Sequence, residues 1–283
     1  MTNIITAQNL SKSYGNFKAL KNVDLNIEKG QIVGIIGANG AGKTTLLNSI
    51  LGLSAYDGDL KVLGFDPYSQ RDELMKEICF ISDVATLPKW IKVHEAIDFV
   101  EGVHPSFDRE KALAFLKETS VPLDKKVRQL SKGMIVQVHL ALIMSIDAKI
   151  LVLDEPTLGL DIIYRKKFYH HLLEDFFDED RTILITTHQV DEIENILSQV
   201  VFIREGQIVL TADMEDIGEN WMVLNPPAAN VDAARALGPV SEQSVLGRTS
   251  FIFKGRTRAE LSELGDVNRI NLSDLFVTLM EGR

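Results

Sequence analysis

Residues 34–45, GIIGANGAGKTT, constrain this chain more than any other stretch. Gly37, Gly42, Lys43 and Thr44 fall at the G-x-x-x-x-G-K-[ST] spacing. An apolar, strand-like run, QIVGIIG (31–37), precedes the glycines, and a helical one, TTLLNSILGL (44–53), follows. Glycines let backbone N–H groups turn inward around an anion, and a helix N-terminus adds the positive end of its dipole. The spacing and its flanks therefore predict a phosphate-cradling loop built from Gly37, Asn39, Gly40, Ala41, Gly42, Lys43, Thr44 and Thr45. In such a loop Lys43 reaches the β- and γ-phosphates, and the Thr44 hydroxyl ligates Mg2+.

A second stretch supplies the groups that phosphoryl transfer to water needs. ILVLDEP (150–156) reads as a buried strand ending in adjacent carboxylates, Asp154 and Glu155. Ligand and catalytic groups in open α/β sheets collect at strand C-terminal ends. Asp154 is expected on the metal, and Glu155 as general base or water-positioning group.

The bulk composition limits the alternatives. A chain of 283 residues with 45% hydrophobic and 25% charged residues holds one large α/β domain plus a small appendage. Forty acidic against thirty basic residues, a formal charge of −10, disfavour a nucleic-acid backbone as partner. Apolar runs such as HLALIMSI (139–146) fall well short of the ~20 residues of a spanning helix. The N-terminal MTNIITAQNLSKSY lacks a basic-then-apolar leader. The expected location is cytoplasmic, with any membrane contact peripheral. The single cysteine, Cys79, lies in the apolar run ICFIS and reads as a buried structural thiol.

Along the chain, NIITAQNL, KALKNVDLNI, QIVGIIG and DGDLKVLG read as strands, with Asp57-Gly58 as a hairpin-type turn. From about residue 84 to 149 the pattern is helical, and MIVQVHLALIMSI (134–146) is apolar nearly all round, as a buried helix would be. ILVLDEP and TILITTH (182–188) flank a helical stretch around Tyr164–Phe177, the signature of parallel strands with crossover helices. Past REGQIVL (204–210) the texture changes, with WMVLN, RTSFIFKG and a last helix SDLFVTLMEG punctuated by prolines and glycines. Residues 1–210 are expected as the main domain and 211–283 as a small accessory one.

Between the two motifs sits QLSKGM (129–134), with Asp154 following Ser131 by 23 positions; LGLD (158–161) and His188 come after. This order resembles the ATP-binding cassette (ABC) family over roughly residues 3–215. The resemblance implies an α/β fold: a P-loop NTPase core with an N-terminal antiparallel β-subdomain, a helical subdomain and, here, a small α+β C-terminal extension. It implies ATP as ligand with Mg2+, and ATP hydrolysis carried by Lys43, Glu155 and His188. Tyr14 in SKSYGN matches the aromatic that stacks on adenine. Ser131 and Gly133 match the signature that contacts a nucleotide held by a second subunit, and Asp161 the aspartate that crosses between subunits. Expected partners are a second ABC ATPase subunit and separate transmembrane permease subunits, on the inner face of the cell membrane.

The chain departs from the family pattern at several positions. Asp83 stands where glutamine is usual, and is expected as a metal ligand; Lys132 and Met134 replace commoner residues in the signature. These choices resemble the YtrB-type branch of bacterial exporters. LPKWIKVHEAIDF (87–99) lies where a permease helix docks in the family, so Trp90 and Ile91 read either as an exposed anchor or as packing within their own subdomain. Two other functions fit less of the sequence. A soluble ribosome-associated or repair ATPase would carry a second phosphate loop or long heptad runs, and a nucleotide sensor without turnover would not need Lys43, Asp154, Glu155 and His188 intact.

Overall fold

The computed structural model describes residues 2–82, 87–158, 162–245 and 247–281. Its centre is a six-stranded sheet in the order β5-β6-β7-β3-β8-β9. The strands are β3 (Ile32–Ile36), β5 (Ile78–Ile81), β6 (Ile150–Asp154), β7 (Thr182–Thr187), β8 (Gln199–Arg204) and β9 (Gln207–Asp213). All pairings are parallel except the last, β8 with β9.

Continuous apolar strands form because the sheet is covered on both faces. Alternate residues split between two cores. Ile36, Leu151, Leu153, Ile183, Ile185 and Phe202 face one side, and Val33, Ile35, Val152, Leu184 and Ile203 face the other. The second side is covered by helix α1 (Lys43–Ile50) through Leu46, Leu47 and Ile50. An antiparallel sheet of β2-β1-β4 (Phe17–Glu28, Asn3–Tyr14, Asp57–Val62) also covers it, through Ile5, Leu20 and Leu25. The antiparallel β-subdomain is thus present. Asp57 and Gly58 are not a hairpin turn, however. Both lie within β4, opposite a register shift between Gln8 and Ser11 of β1. Gly58, at φ +96°, is needed there because a Cβ would come within 2.5 Å of the Asn9 carbonyl oxygen.

After the short helix α2 (Arg71–Leu74), the helical segment comprises α3 (Val93–Val103), α4 (Arg109–Lys117) and α5 (Lys132–Met144). α5 is apolar all round because it serves two cores. Leu140, Ile143 and Met144 join the central sheet, while Val138, Ala141 and Leu142 pack with Ile91, Val93, Ile97 and Leu116. Ile91 is therefore a core residue, whereas Trp90 is 68% exposed. Cys79 is buried, and burial pushes its thiol up to about 12, as expected of an inert structural cysteine.

α6 (Ile162–His171) follows β6, and Leu172–Phe176 extends it as a π-turn. β9 continues to Asp213, through the boundary expected at residue 210. Beyond it come α7 (Met214–Asn220), β10 (Trp221–Asn225), α8 (Val231–Ala236), β11 (Ser241–Val245), β12 (Arg248–Lys254), α9 (Arg258–Ser262) and β13 (Asp266–Arg269). The antiparallel order β11-β12-β10-β13 of this β-α-β-β-α-β run is the ferredoxin-like arrangement. It has its own small core of Leu224, Ala234, Phe251, Phe253, Leu261 and Val267. The opposite face of its sheet and the last helix, α10 (Leu272–Glu281), do not stand apart. Trp221, Ile252, Leu272 and Leu275 are buried in the core of the main sheet, and the Phe276 ring lies 5.5 Å from that of Phe202.

Candidate functional site

The loop between β3 and α1 is shaped by its glycines. Gly40 and Gly42 have φ of +82° and +114°, a region that side chains other than glycine's resist. At Gly37 a Cβ would sit 2.5 Å from the Ile203 carbonyl oxygen, so only glycine lets the loop lie against β8. Ala41 closes the turn by donating its N–H to the Ala38 carbonyl at 3.0 Å. Gly42 then starts α1 with no side-chain cap and no acidic residue in the first turn. The N-terminal N–H groups of α1 are left for an anion, with the positive end of the helix dipole behind them.

Lys43, the first residue of that helix, is buried, and its Nζ donates to the Gly37 carbonyl at 2.7 Å. Burial holds its ammonium below the ordinary lysine range, and the nearby charges of Glu155 and Asp154 oppose that shift only in part. A charge kept dry in this way gains from a phosphate, which would replace the carbonyl as its partner.

β6 ends beside the loop, as its place in the sheet requires. The Thr44 hydroxyl donates to Asp154 Oδ2 at 3.3 Å, and Thr186 on β7 donates to Oδ1 of the same carboxylate. Glu155 follows at φ +49°, a left-handed conformation rare outside glycine. Its backbone N–H is held by the Thr186 carbonyl at 3.1 Å and the Thr186 hydroxyl at 3.2 Å. That turn aims the Glu155 carboxylate at His188, whose Nδ1 lies 2.9 and 3.0 Å from its two oxygens. Lys43 Nζ stands 3.8 Å from the same carboxylate.

Lys43, Thr44, Asp154, Glu155 and His188 line one open cavity of about 550 Å3, together with Tyr14, Asn39, Gly40, Gly42, Thr45, Phe17, Ala19 and Leu158. Gly37 and Ala41 stand behind the loop and shape it. Tyr14 is half exposed at the rim, with Lys12 Nζ 5.1 Å from its ring centroid. Phe17, 63% exposed, pairs with Tyr14 across the tight turn between β1 and β2; sequence reasoning missed it, although YGNF places the two rings side by side. Thr186 was also missed, its only signal being its position two residues before His188 on the neighbouring strand.

Not every expected residue joins this cavity. Ser131 caps α5, accepting from the Met134 N–H at 3.2 Å, and Gly133 is buried in the first turn; neither lines it. Asp83 and Asp161 lie outside the described residues. Among the described residues no cluster of three or more His, Cys, Asp or Glu side chains is placed to hold a metal by itself. One buried carboxylate beside a hydroxyl, Asp154 with Thr44, suits a Mg2+ ion that takes its remaining ligands from water and nucleotide phosphates.

Comparison with known proteins agrees with this geometry. The ABC transporter family model matches residues 20–158. The ABC transporter ATP-binding protein YtrB of Bacillus subtilis (strain 168) is 27% identical over 290 residues, covering 99% of each chain. The lantibiotic transport ATP-binding protein SrtF of Streptococcus pyogenes is 33% identical over 217 residues, covering 75% of this chain and 92% of the relative. A dimeric bacterial ABC transporter cassette superposes with a TM-score of 0.63 at 25% identity, covering 74% of this chain and 98% of the other. Phosphate loop, strand-end carboxylate pair and histidine thus sit on the fold shared by these proteins, and the chain belongs to the ABC transporter family as one of its ATPases.

Proposed function

We propose that this chain is the subunit that binds and hydrolyses Mg-ATP to drive separate membrane subunits, and that the transport it powers is outward. The observation that carries the hydrolytic part is the Glu155–His188 pair, 2.9 Å apart in the same cavity as Lys43, Thr44 and Asp154. The α1 N-terminus and Lys43 bind the β- and γ-phosphates. Tyr14, joined by Phe17, offers a flat apolar surface to the adenine. Thr44 and Asp154 would hold Mg2+, which supplies charge neutralisation on the phosphates. Glu155 takes the proton of the attacking water, and His188, hydrogen-bonded to it, reaches the γ-phosphate side of the cavity.

Ser131 and Gly133, away from this cavity but at the start of a helix, suit a nucleotide held by a second cassette. So does the similarity to a cassette solved as a dimer. Asp161 would cross between the two copies, and Asp83 would add an oxygen ligand near the metal. No described helix is long and apolar enough to cross a membrane. The resemblance to ABC transporter ATPases would place the pathway in separate permease chains and this one against them at the inner face of the membrane. Trp90, exposed beside Lys89, is where a permease helix would dock. Outward transport is the direction implied by the departures at Lys132 and Met134, which resemble the YtrB-type branch of bacterial exporters. Residues 1–210 with the rest of β9 would form the ATPase unit and the remainder an accessory one.

The test is a detergent-solubilised pulldown of the chain from its native cells, with phosphate release measured against a Lys43→Ala control. A polytopic membrane protein in stoichiometric amount, with turnover above the control, is the expected result. Ribosomal proteins as the main partners would refute the transporter reading, and turnover no higher than the control would refute hydrolysis.

A further inference from the structure

We propose that Arg165, Glu192 and Thr157 form a positioning relay that holds Glu155 and His188 in register with one another. The inference rests on the reading that those two residues carry hydrolysis, and it concerns residues that do not line the nucleotide cavity themselves.

Thr157 lies two residues beyond Glu155 and is only 3% exposed. Its hydroxyl is 3.2 Å from Glu192 Oε2 and 3.3 Å from the phenol of the buried Tyr169. Glu192 lies four residues beyond His188, and its Oε1 accepts from Arg165 Nη1. The same Nη1 donates to Gln189 Oε1 at 2.9 Å, on the residue directly after His188. Both ends of this chain of bonds therefore attach next to the hydrolytic pair.

The chemistry leaves one arrangement of protons. An ionised carboxylate only accepts and a guanidinium only donates. Thr157 has one proton, which goes to Glu192, so it must accept that of Tyr169. A network without ambiguous bonds holds its members in one geometry.

That geometry needs holding at both ends. Glu155 sits at φ +49°, a conformation that persists only where the surroundings over-determine it. Thr186 fixes it from the preceding side and the Thr157–Glu192 bond from the following side. After His188 the chain runs through two single-turn 3-10 segments, Val190–Glu192 and Glu194–Ile196, with few backbone bonds of their own. Side chains must fix what the backbone does not. The Arg165 and Glu192 side chains are 25% and 22% exposed. Ion pairs removed from water to this degree add little net stability over apolar packing, and are better accounted for by the geometry they impose.

The experiment uses the full chain with Arg165→Ala, Arg165→Lys, Thr157→Val and Thr157→Ser, and Arg165→Ala combined with His188→Ala. Phosphate release gives kcat and KM, and a fluorescent ATP analogue gives affinity. Arg165→Ala and Thr157→Val should lower kcat by about tenfold to a hundredfold, the scale of a small misplacement of reacting groups, with KM and analogue affinity unchanged. Arg165→Lys and Thr157→Ser, which keep a donor to Glu192, should recover part of the loss. In single turnover the double variant should be no slower than His188→Ala alone. Wild-type kcat in Arg165→Ala, an additive loss in the double variant, or no recovery by either conservative change would overturn the relay. Should Arg165→Ala not fold, the Thr157→Val and Thr157→Ser pair decides. If Glu155→Gln and His188→Ala themselves kept full turnover, the hydrolytic assignment would fall instead. Their loss of turnover beside an unaffected Arg165→Ala would sink the relay alone.

Discussion

Replacing Glu155 by glutamine separates binding from chemistry. The two side chains have nearly the same shape, and the amide oxygen can still accept from His188, so the turn at φ +49° is no more strained than before. What disappears is a negative charge and a basic lone pair. General-base catalysis contributes about a hundredfold to ten-thousandfold in rate. That corresponds to roughly 2.7–5.4 kcal/mol on the barrier. Binding moves the other way. Lys43 Nζ is 3.8 Å from the Glu155 carboxylate, and both side chains are largely buried. Unit charges at that separation attract by about 4 kcal/mol at an effective dielectric of 20. An incoming phosphate must compete with that attraction for Lys43. If a third of it is recovered on ATP binding, affinity rises about tenfold. Phosphate release and titration with a fluorescent ATP analogue read the two effects on one preparation, and size-exclusion chromatography with ATP shows whether the tighter-binding variant accumulates as a dimer. Unchanged turnover would remove Glu155 from its role. Affinity falling together with turnover would mean that the carboxylate holds the loop together rather than activating water.

Two further outcomes follow from burial. Lys43 is held below its ordinary value of 10.5, so between its folded value and 10.5 the unfolded chain binds the extra proton and stability rises with pH. Below that window the folded state carries the burial penalty in full, so Lys43→Met should raise the melting temperature of the nucleotide-free protein at pH 7 while abolishing turnover. The gain should shrink as pH approaches 10.5, and a gain independent of pH across calorimetric scans would contradict this account. Phe202, fully buried in β8 and in ring contact with Phe276 of α10, should cost about 3–5 kcal/mol when replaced by alanine. Denaturant unfolding with a loss under 1 kcal/mol would show that α10 does not share the main core.

The phosphate loop and the strand ending in Asp154-Glu155 were legible because each is contiguous. A loop that binds an anion through its own backbone needs its glycines at fixed local spacing, and a strand buried on both faces must be apolar throughout. The helix α5 was legible for the same reason, its all-round apolarity reporting burial without saying against what. Asp57-Gly58 misled because Gly-containing pairs serve turns and bulges alike. Only the approach of Gly58 to the Asn9 carbonyl, on a strand nearly fifty positions earlier, distinguishes the two uses.

By itself, then, the sequence determined which groups this protein has to offer: a lysine and glycines suited to phosphates, a hydroxyl and a carboxylate suited to Mg2+, and a second carboxylate suited to a water molecule. Tertiary structure decided which groups meet. Glu155 finds His188, and Asp154 finds Thr186, because β6 and β7 are neighbours in the order β5-β6-β7-β3-β8-β9. Likewise α10 closes on Phe202 only after the ferredoxin-like segment has brought the chain back across the main sheet. Hydrophobic patterning says that a strand or helix is buried, but apolar contact is non-directional. The choice among neighbours is made by the packing of the whole.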